Sequence, residues 1–466
     1  DVCSSDLEQL KSIPLTETGE IDREQLLQKG NGKVTGKKIA PRNELERQLA
    51  SIWQEVLEIS TVGIDDNFFD LGGNSIQAMI LVNKFQKELS QILHPVALFD
   101  APTIAELGAY LQDNYPELVE KIEGKAVSTT TGRSVETLKA GQVERMRQYL
   151  RHHLCGESVR SDKSGQKNKQ AIFILCPGRS GSTLLRIILA GNPQLFAPPE
   201  LYLLSFNSLA ERKATFSGRN NFLMEGTIRA IMEIKNCDGE RAREIMEELE
   251  GQNLSTKEFF GLMQGWLPDK ILVDKTPPYA CNPQILERAE SEFESPLYIH
   301  LLRHPLATIR SMEEARIDLM VSMAEEGFSV KQKGELMWSI SHQNILEFLK
   351  NVPSSRQHRV KYEDLVREPE TTVRRLCEFI GVDFHGDMLQ PYQEKKQRMS
   401  DGIRDVSRMA GDPKFHSHKG IDAKAADRWK DDYQVDFLAE QTWQIAEDLE
   451  YERMTVTDNN IEEGEI

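Results

Sequence analysis

The stretch "AIFILCPGRSGSTLLRIIL", residues 171–189, decides how the larger part of the chain folds. It begins with a run of apolar residues, as expected for a buried strand. A Gly/Ser-rich turn follows, and the next apolar residues have the spacing of a helix. A strand that ends in such a turn and a helix N-terminus directs backbone N–H groups and the positive end of the helix dipole at an anion. We therefore predict that this loop binds a phosphate-like group; the alternative is a tight turn in an α/β core.

The residues that follow continue the same pattern toward the C-terminus. Short apolar segments alternate with longer helical stretches, and the segments are AIFILC (171–176), KILVDK (270–275), PLYIHLLR (296–303) and HRVKYEDL (358–365). Strands that alternate with helices are typical of a parallel sheet. We predict a P-loop-like α/β domain with a central parallel sheet over residues 171–455, and a solvated acidic tail over residues 456–466.

A second, smaller domain is predicted at residues 39–114, where apolar residues have helical spacing. Helices are expected in NELERQLASIWQEVLEI after an N-cap at Asn43, in SIQAMILVNKFQKEL after a Gly-Gly loop, and in TIAELGAYLQDNY. We predict a small four-helix bundle. The chain is thus multidomain, since 466 residues exceed what one compact core usually holds.

The remaining segments are polar. Residues 1–38 end in a Gly/Lys-rich linker, and residues 115–170 are rich in Lys, Gln, Ser, Thr and Gly, so we predict a partly helical linker there. The first residues, DVCSSDLEQL, lack an initiator Met and the basic and apolar segments of a signal peptide. We therefore expect a piece of a longer protein.

Charge and cysteine content disfavour some classes of partner and compartment. The net charge of −17 argues against a nucleic acid or an anionic membrane as a general partner. No apolar run approaches the roughly 20 residues that span a bilayer, so we predict no membrane segment. The six cysteines show no CxxC spacing, which predicts neither a zinc site nor a disulfide framework and fits a reducing cytoplasm.

Ser75 lies at the start of a predicted helix, in the stretch DNFFDLGGNSIQA. An isolated serine in this position is usually an N-cap, and that alternative stays open. Two glycines keep the approach to Ser75 open, and aspartates make the loop acidic. Residues 42–113 resemble the peptidyl carrier proteins of nonribosomal peptide synthetases. The resemblance implies that a phosphopantetheinyl transferase attaches 4′-phosphopantetheine to Ser75, and that this arm holds an acyl chain as a thioester.

The segment IPLTETGEIDREQL, residues 13–26, resembles the C-terminal end of an adenylation domain, another part of these synthetases. Where that family has a catalytic lysine, this sequence has Glu20. We therefore expect further megasynthase domains upstream, and we predict no adenylation activity for this chain.

The predicted anion-binding loop after the strand AIFILC differs from the phosphate loop of enzymes that bind nucleoside triphosphates. That loop needs the pattern G-x-x-x-x-G-K-[ST], whose lysine contacts the phosphates and whose hydroxyl binds magnesium. Here Gly181 is followed by Ser182 rather than by a lysine, and the strand PLYIHLL ends in Arg303 rather than in an acidic metal ligand. We therefore disfavour a kinase or an ATPase, and we predict no metal site.

Arg179 supplies the cation of this loop instead. A guanidinium is planar and permanently charged, and it suits a tetrahedral oxyanion. The loop resembles the 5′-phosphosulfate loop of sulfotransferases that use the donor PAPS (3′-phosphoadenosine 5′-phosphosulfate). The stretch IHLLRHPLATIRSM resembles their second loop, which holds the 3′-phosphate. The resemblance implies that PAPS and its product PAP are bound by Arg179, Ser180, Gly181, Ser182, Thr183, Arg303 and Ser311.

Transfer of a sulfuryl group to an alcohol needs a general base and cations near the leaving oxygen. Glu200, in LFAPPELYLL, lies where related families have an acidic base. His418, in KFHSHKG, is the rival base, because the imidazole pKa suits neutral pH. For both, a structural role is the alternative. Lys275, in LVDKTPPYA, is the candidate cation for the bridging oxygen, and Asp274 is expected to orient it; we interpret Tyr362 as structural.

The resemblance to sulfotransferases runs from residue 171 to about residue 450. It is strongest for those that follow carrier domains in cyanobacterial polyketide and olefin synthases. It implies that a carrier-tethered β-hydroxyacyl chain is sulfated, and that a thioesterase then releases the chain with loss of sulfate and CO2. Because GRSGS fails the pattern G-x-S-x-G, release is expected elsewhere, or the sulfate is kept. Two alternatives stay open: a sulfotransferase for a free small molecule or peptide tyrosine, and a docking module that binds the nucleotide without turnover.

Overall fold

In the computed structural model the chain forms two regions, each with its own hydrophobic core. The described residues are 38–73, 75–89, 93–94, 96–124, 138, 141–147, 165–252, 254–317, 328–403, 415, 418–433 and 435–454. The predicted adenylation remnant with Glu20, the acidic tail and most of the predicted linker lie outside them.

The first region, called the helical domain below, consists of α1 Glu44–Leu57, α2 Ser75–Leu89, α3 Val96–Asp100, α4 Ile104–Asn114 and α5 Pro116–Ile122. The predicted N-cap is present, since the Asn43 side chain accepts a hydrogen bond from the backbone N–H of Glu46. Thr103 begins α4 with a capping box. Apolar residues from these helices enclose Trp53 and Phe68, which are both fully buried and meet edge to face.

Helix α5 adds to this core beyond residue 114. Tyr115, Leu118 and Val119 are buried with the residues of the other helices. Pro116 occupies the first turn of α5, where its missing N–H costs nothing, so a new helix starts directly after α4 ends. The described part of this domain therefore contains five helical segments, of which four lie within the predicted bounds of residues 39–114.

The second region, called the sheet domain, contains a parallel sheet of five strands within the described residues: β1 Ala171–Leu175, β2 Leu195–Phe196, β3 Ile271–Asp274, β4 Leu297–Leu302 and β5 Gln357–Lys361. The strand order is β2-β3-β1-β4-β5. Ile172 pairs with Val273 of β3 on one side, and Ile174 pairs with Ile299 of β4 on the other. The predicted multidomain fold with a central parallel sheet is confirmed, and the two-residue strand β2 is an addition.

Helices surround this sheet. They are α6 Ser182–Leu189, α7 Leu209–Thr215, α8 Glu225–Lys235, α9 Gly239–Gly251, α10 Thr256–Trp266, α11 Pro283–Glu292, α12 Pro305–Glu314, α13 Val330–Leu349, α14 Tyr362–Arg367, α15 Pro369–Ile380, α16 Trp429–Asp432 and α17 Glu440–Asp448. Short 3₁₀ helices include Gly218–Met224 and Pro277–Cys281. Among the described helices, none combines the length and the apolar composition needed to cross a bilayer.

Alternate residues of β1 point to opposite faces of the sheet. Phe173 and Leu175 belong to a core that includes residues of α8 to α11, and Ile172 and Ile174 belong to a core with α6, α14 and α15. Because the strands are parallel, the carboxyl ends of β1, β3 and β4 meet at one edge, and the loops after them converge there. This is the edge at which open α/β sheets bind ligands.

Candidate functional site

The anion loop, residues 176–181, joins β1 to α6 at this edge. Its backbone is turned by two residues with positive φ, Arg179 at 65° and Gly181 at 87°. A Cβ at Gly181 would overlap the ring of Tyr362, so only glycine fits this position. The loop is therefore held against Tyr362, and α6 begins at Ser182 directly after it.

Three of the residues that the sequence predicts to bind PAPS are in contact with one another. The Nε of Arg179 donates a hydrogen bond to the Oγ of Ser311 at 3.2 Å, and the Nη1 of Arg303 donates to the backbone carbonyl of Arg179 at 2.8 Å. Arg303 follows β4, and Ser311 lies on α12. The two loops that the sequence indicated, whose arginines are 124 residues apart, thus meet at one point of the sheet edge.

Arg303 is also fixed by its neighbours. Its backbone carbonyl accepts a hydrogen bond from the indole N–H of Trp338 at 3.0 Å. Its guanidinium carbon lies 4.4 Å from the ring centroid of Tyr362, a cation–π contact. Tyr362, which the sequence indicated as structural, therefore supports both the glycine of the first loop and the arginine of the second.

The anion loop has hydrogen-bonding capacity left for a ligand. Ser180 is fully buried, and its hydroxyl has no hydrogen-bond partner among the described residues. A buried hydroxyl without a partner costs free energy and calls for an explanation. Together with the guanidinium groups of Arg179 and Arg303, this hydroxyl fits a group with several acceptor oxygens, such as a phosphosulfate.

Glu200 and Lys275 form an ion pair beside the loop. The Nζ of Lys275 lies 2.5 Å from Oε1 of Glu200, and the two side chains are 3% and 23% exposed. Tyr202 donates its hydroxyl to the other oxygen of Glu200 at 3.2 Å. Lys275 directly follows β3, which pairs with β1, and the anion loop starts at Cys176 directly after β1. Burial raises the pKa of the Cys176 thiol to about 12, and the charges of Lys275 and Glu200 both act on this thiol. The ion pair and the anion loop therefore belong to one site.

The carboxylate of Asp274, which was predicted to orient Lys275, has its hydrogen bonds with two other residues. Its two oxygens accept hydrogen bonds from the hydroxyl of Thr276 at 2.8 Å and from the hydroxyl of Tyr279 at 2.9 Å. Burial raises the pKa of Asp274 to about 6, while these two hydrogen bonds act to lower it. Asp274 is thus a buried anchor at the end of β3.

Thr276 and Tyr279 in turn form hydrogen bonds with the segment that follows Glu200. The hydroxyl of Thr276 accepts the backbone N–H of Leu201 at 3.2 Å, and the hydroxyl of Tyr279 accepts that of Leu204 at 3.1 Å. The sequence did not indicate either residue. A signal was available, since both hydroxyls lie in the motif DKTPPYA directly after a predicted strand.

His418, the rival base, has other neighbours. Its ring centroid lies 6.2 Å from that of Tyr392, and its backbone N–H donates to the carbonyl of Phe415 at 3.3 Å. No hydrogen bond or ion pair within the described residues joins His418 to Glu200 or Lys275. The geometry thus pairs Glu200 with Lys275, whereas the contacts of His418 are with Tyr392 and Phe415. His416 lies outside the described residues.

The loop before Ser75 is tightly packed. Gly72 has a φ of 94°, and a Cβ at Gly73 would contact the ring of Phe68 at 2.5 Å. These glycines thus allow the loop to fold onto the core of the helical domain and to lead into α2, which begins at Ser75. The side chain of Ser75 lies outside the described part of the chain.

Two sequence families match the chain. The Sulfotransferase family matches residues 171–386, and the phosphopantetheine attachment site family matches residues 47–111. The solved sulfotransferase domain from the curacin biosynthetic pathway is 40% identical, with a TM-score of 0.57, and the alignment covers 62% of this chain and 99% of that domain. The sulfotransferase domain of the olefin synthase from Synechococcus PCC 7002 is 34% identical, with a TM-score of 0.57, covering 63% of this chain and 100% of that domain.

The helical domain is similar to parts of peptide synthetases. Gramicidin S synthase 2 of Brevibacillus brevis is 46% identical over 103 residues, which are 22% of this chain and 2% of the synthetase. Tyrocidine synthase 3 of Brevibacillus parabrevis is 39% identical over 157 residues, which are 34% of this chain and 2% of the synthetase. The chain thus spans about 2% of the length of these curated relatives.

The matched residues 171–386 include the anion loop, Glu200, Lys275 and both residues of the second loop. The chain belongs to the sulfotransferase family. A phosphopantetheine carrier domain precedes the sulfotransferase domain on the same chain, so the predicted combination of domains is confirmed. Carrier domains of this kind hold 4′-phosphopantetheine covalently, and sulfotransferases take the sulfuryl group from PAPS.

Proposed function

We propose that the sulfotransferase domain transfers a sulfuryl group from PAPS to a hydroxyl of an acyl chain that is tethered to Ser75 through 4′-phosphopantetheine. The observation that carries this proposal is the contact of Glu200 with Lys275 beside the arginine-lined anion loop. A base, a cation and an anion site at one edge of the sheet are the groups that in-line transfer to an alcohol requires. The carrier domain of the same chain supplies the acceptor.

The donor is assigned to the two connected loops. The anion loop and the N-terminus of α6 bind the phosphosulfate, because backbone N–H groups and a guanidinium there favour an anion. The second loop binds the 3′-phosphate. Since Arg303 and Ser311 both contact Arg179, one connected set of side chains holds both ends of the nucleotide. The assigned residues are Arg179, Ser180, Gly181, Ser182, Thr183, Arg303 and Ser311.

In the proposed reaction the acceptor oxygen attacks sulfur while the bond between sulfur and the phosphate oxygen breaks. The products are a sulfate ester and PAP. The hydroxyl proton passes to the carboxylate of Glu200, and the electron pair of the broken bond stays on the phosphate oxygen of PAP, where Lys275 balances the charge. An ammonium has three N–H donors, so Lys275 keeps its contact with Glu200 while it donates to this oxygen.

We assign a β-hydroxyacyl chain as the acceptor and a separate thioesterase as the partner that releases it. A sulfate on the β-carbon is a leaving group. Once the thioester is hydrolysed, loss of the carboxylate as CO2 expels the sulfate and leaves a terminal alkene, which balances atoms and charge. An upstream megasynthase supplies the chain, and a phosphopantetheinyl transferase modifies Ser75.

The test uses the whole chain in its holo form, loaded with a 3-hydroxyacyl group on Ser75 and incubated with PAPS. Intact mass spectrometry should show the gain of one SO3 on the pantetheine arm. Ser75→Ala and Arg179→Ala should abolish the gain, whereas Arg241→Ala, which changes an exposed arginine of α9, should keep it. Sulfation of free acceptors by Ser75→Ala, with no gain on the loaded arm of the wild type, would contradict tethered sulfation.

A further inference from the structure

Among the described residues, the carrier domain contacts the sulfotransferase domain at two places, and the first is apolar. Met79 of α2 and Val96 of α3 form a buried cluster with Phe222, against which Leu223 packs. Phe222 and Leu223 belong to the 3₁₀ helix Gly218–Met224, called the docking helix below. Met79 and Val96 are buried in this cluster rather than in the core of their own domain.

The second place is polar. The Nε2 of His94 lies 2.6 Å from the backbone carbonyl of Ala315, and since a carbonyl only accepts, this nitrogen carries the proton. Arg316 donates to the backbone carbonyl of Asn114, and its guanidinium carbon lies 5.0 Å from the ring centroid of Tyr115. The carrier thus rests on the segment directly after α12.

Both contacted segments lead into the proposed active site. Two residues after the docking helix, a Cβ at Gly226 would overlap the backbone carbonyl of Glu200, so the start of α8 packs directly on the backbone of the residue proposed as the base. Ala315 lies four residues after Ser311, which bonds to Arg179 of the anion loop. The carrier therefore contacts one segment next to the base and one segment next to the donor loops.

The position of Ser75 suits delivery of the acceptor from this contact. Residues four apart lie on one face of a helix, about 6 Å from each other along its axis, so positions 75 and 79 share a face of α2. Met79 of that face contacts the docking helix, and Cα atoms of the two helices approach within 8 Å. The attachment serine therefore lies on the side of the carrier that faces the sulfotransferase domain.

We propose that this contact is the functional docking surface through which the carrier presents its tethered acceptor. Met79, Val96 and Phe222 supply the apolar centre, and His94 and Arg316 fix the orientation. The proposal rests on the tethered sulfation proposed above and names the surface that selects the carrier. Within the described part of the chain the contact involves few side chains, which suits a carrier that must also leave to receive its chain from another domain.

The first test measures docking without using activity. Met79→Glu places a carboxylate against the apolar docking helix, which should displace the carrier. Hydrogen exchange of the whole holo chain should then be about tenfold faster, or more, at the amides of residues 218–224. Ser51→Glu, which adds the same charge to the exposed side of α1, is the matched control and should leave this exchange unchanged. Modification of Ser75 by a phosphopantetheinyl transferase checks that each variant carrier is folded.

The second test measures delivery. Met79→Glu and Phe222→Ala should lower the rate of sulfation of the tethered 3-hydroxyacyl group about ten- to a hundredfold, while sulfation of the same acyl group on free pantetheine stays unchanged. If amide hydrogen exchange at residues 218–224 is unchanged in Met79→Glu, the proposed docking surface is wrong, whatever the sulfation rates are. Faster exchange with no sulfation of either acceptor by the wild type would instead refute the proposed function and leave the docking contact standing.

Discussion

The side chain of Arg303 donates a hydrogen bond to the backbone carbonyl of Arg179 at 2.8 Å, while the side chain of Arg179 bonds to Ser311. These bonds join the two loops directly, so each loop carries a permanently charged guanidinium at the same edge of the sheet. Guanidinium groups suit oxyanions, and a multiply charged anion is therefore the ligand that this arrangement favours.

Replacing Arg179 by lysine should weaken the binding of PAP at least about tenfold, because one ammonium does not reproduce the planar fork of a guanidinium. Ser311→Ala should weaken it less, about threefold, since it removes one hydrogen bond and leaves the charge. Calorimetric titration with PAP measures both dissociation constants. Arg241→Lys on α9 is the control and should bind like the wild type. If Arg179→Lys also binds PAP like the wild type, the planar guanidinium of Arg179 does not contribute to PAP binding.

Glu200→Gln should lower kcat for sulfuryl transfer by about 10²–10⁴, because the amide cannot take the proton of the acceptor. Binding of PAP should be unaffected. His418→Gln should keep kcat close to that of the wild type, since its ring packs near Tyr392 rather than beside Lys275. Single-turnover rates with saturating PAPS measure this. A large loss in His418→Gln together with a small loss in Glu200→Gln would reverse the assignment of the base.

Gly181→Ala should lower the free energy of unfolding of the sulfotransferase domain by at least about 2 kcal/mol, since it forces a side chain into positive φ and against the ring of Tyr362. Gly178→Ala is the control in the same loop, because a Cβ there meets open space. Urea denaturation followed by tryptophan fluorescence gives both values. Equal midpoints for the two variants would contradict the close packing of the loop on Tyr362.

The stability of the sulfotransferase domain should depend on the protonation of Glu225. Burial raises the pKa of this carboxyl from 4.5 to about 7. The folded state then binds the proton more tightly than the unfolded state, so the contribution of Glu225 to stability is complete below pH 4.5 and is lost as the pH rises through 7.

Glu225→Gln should remove this dependence. Relative to the wild type, the variant should gain stability as the pH rises from 4.5 to above 7, by an amount on the order of 3 kcal/mol. Urea denaturation at several pH values measures the difference. Glu247→Gln, an exposed position on α9, should follow the wild type at every pH. A constant difference between Glu225→Gln and the wild type would show that Glu225 does not titrate differently in the two states.

Features that are local in the sequence could be predicted from it. The strand, the glycine turn and the helix of residues 171–189 are contiguous, so their periodicity and composition indicate them directly. Arg303 and Ser311 are likewise separated by only the first turns of one helix that starts with a proline, and the structure brings both to Arg179.

Features that depend on long-range packing could not be predicted. Glu200 and Lys275 are 75 residues apart, and nothing in either motif specifies the other as its partner. Asp274 was expected to orient Lys275, but its carboxylate accepts hydrogen bonds from Thr276 and Tyr279, which nothing in the motif specified as its partners. The strand β2 has two residues, which is too short for any periodicity.

Helix α12 lies between the two binding sites proposed for the sulfotransferase domain, one for the nucleotide and one for the carrier. Ser311 on its last turns bonds to the donor loop, and the carbonyl of Ala315, about 6 Å further along, accepts a hydrogen bond from His94 of the carrier. Any free-energy coupling through this segment is reciprocal by thermodynamic linkage. A carrier that docks more tightly when the nucleotide is bound would tighten the nucleotide by the same factor, so the two reactants would favour each other's binding through one short helix.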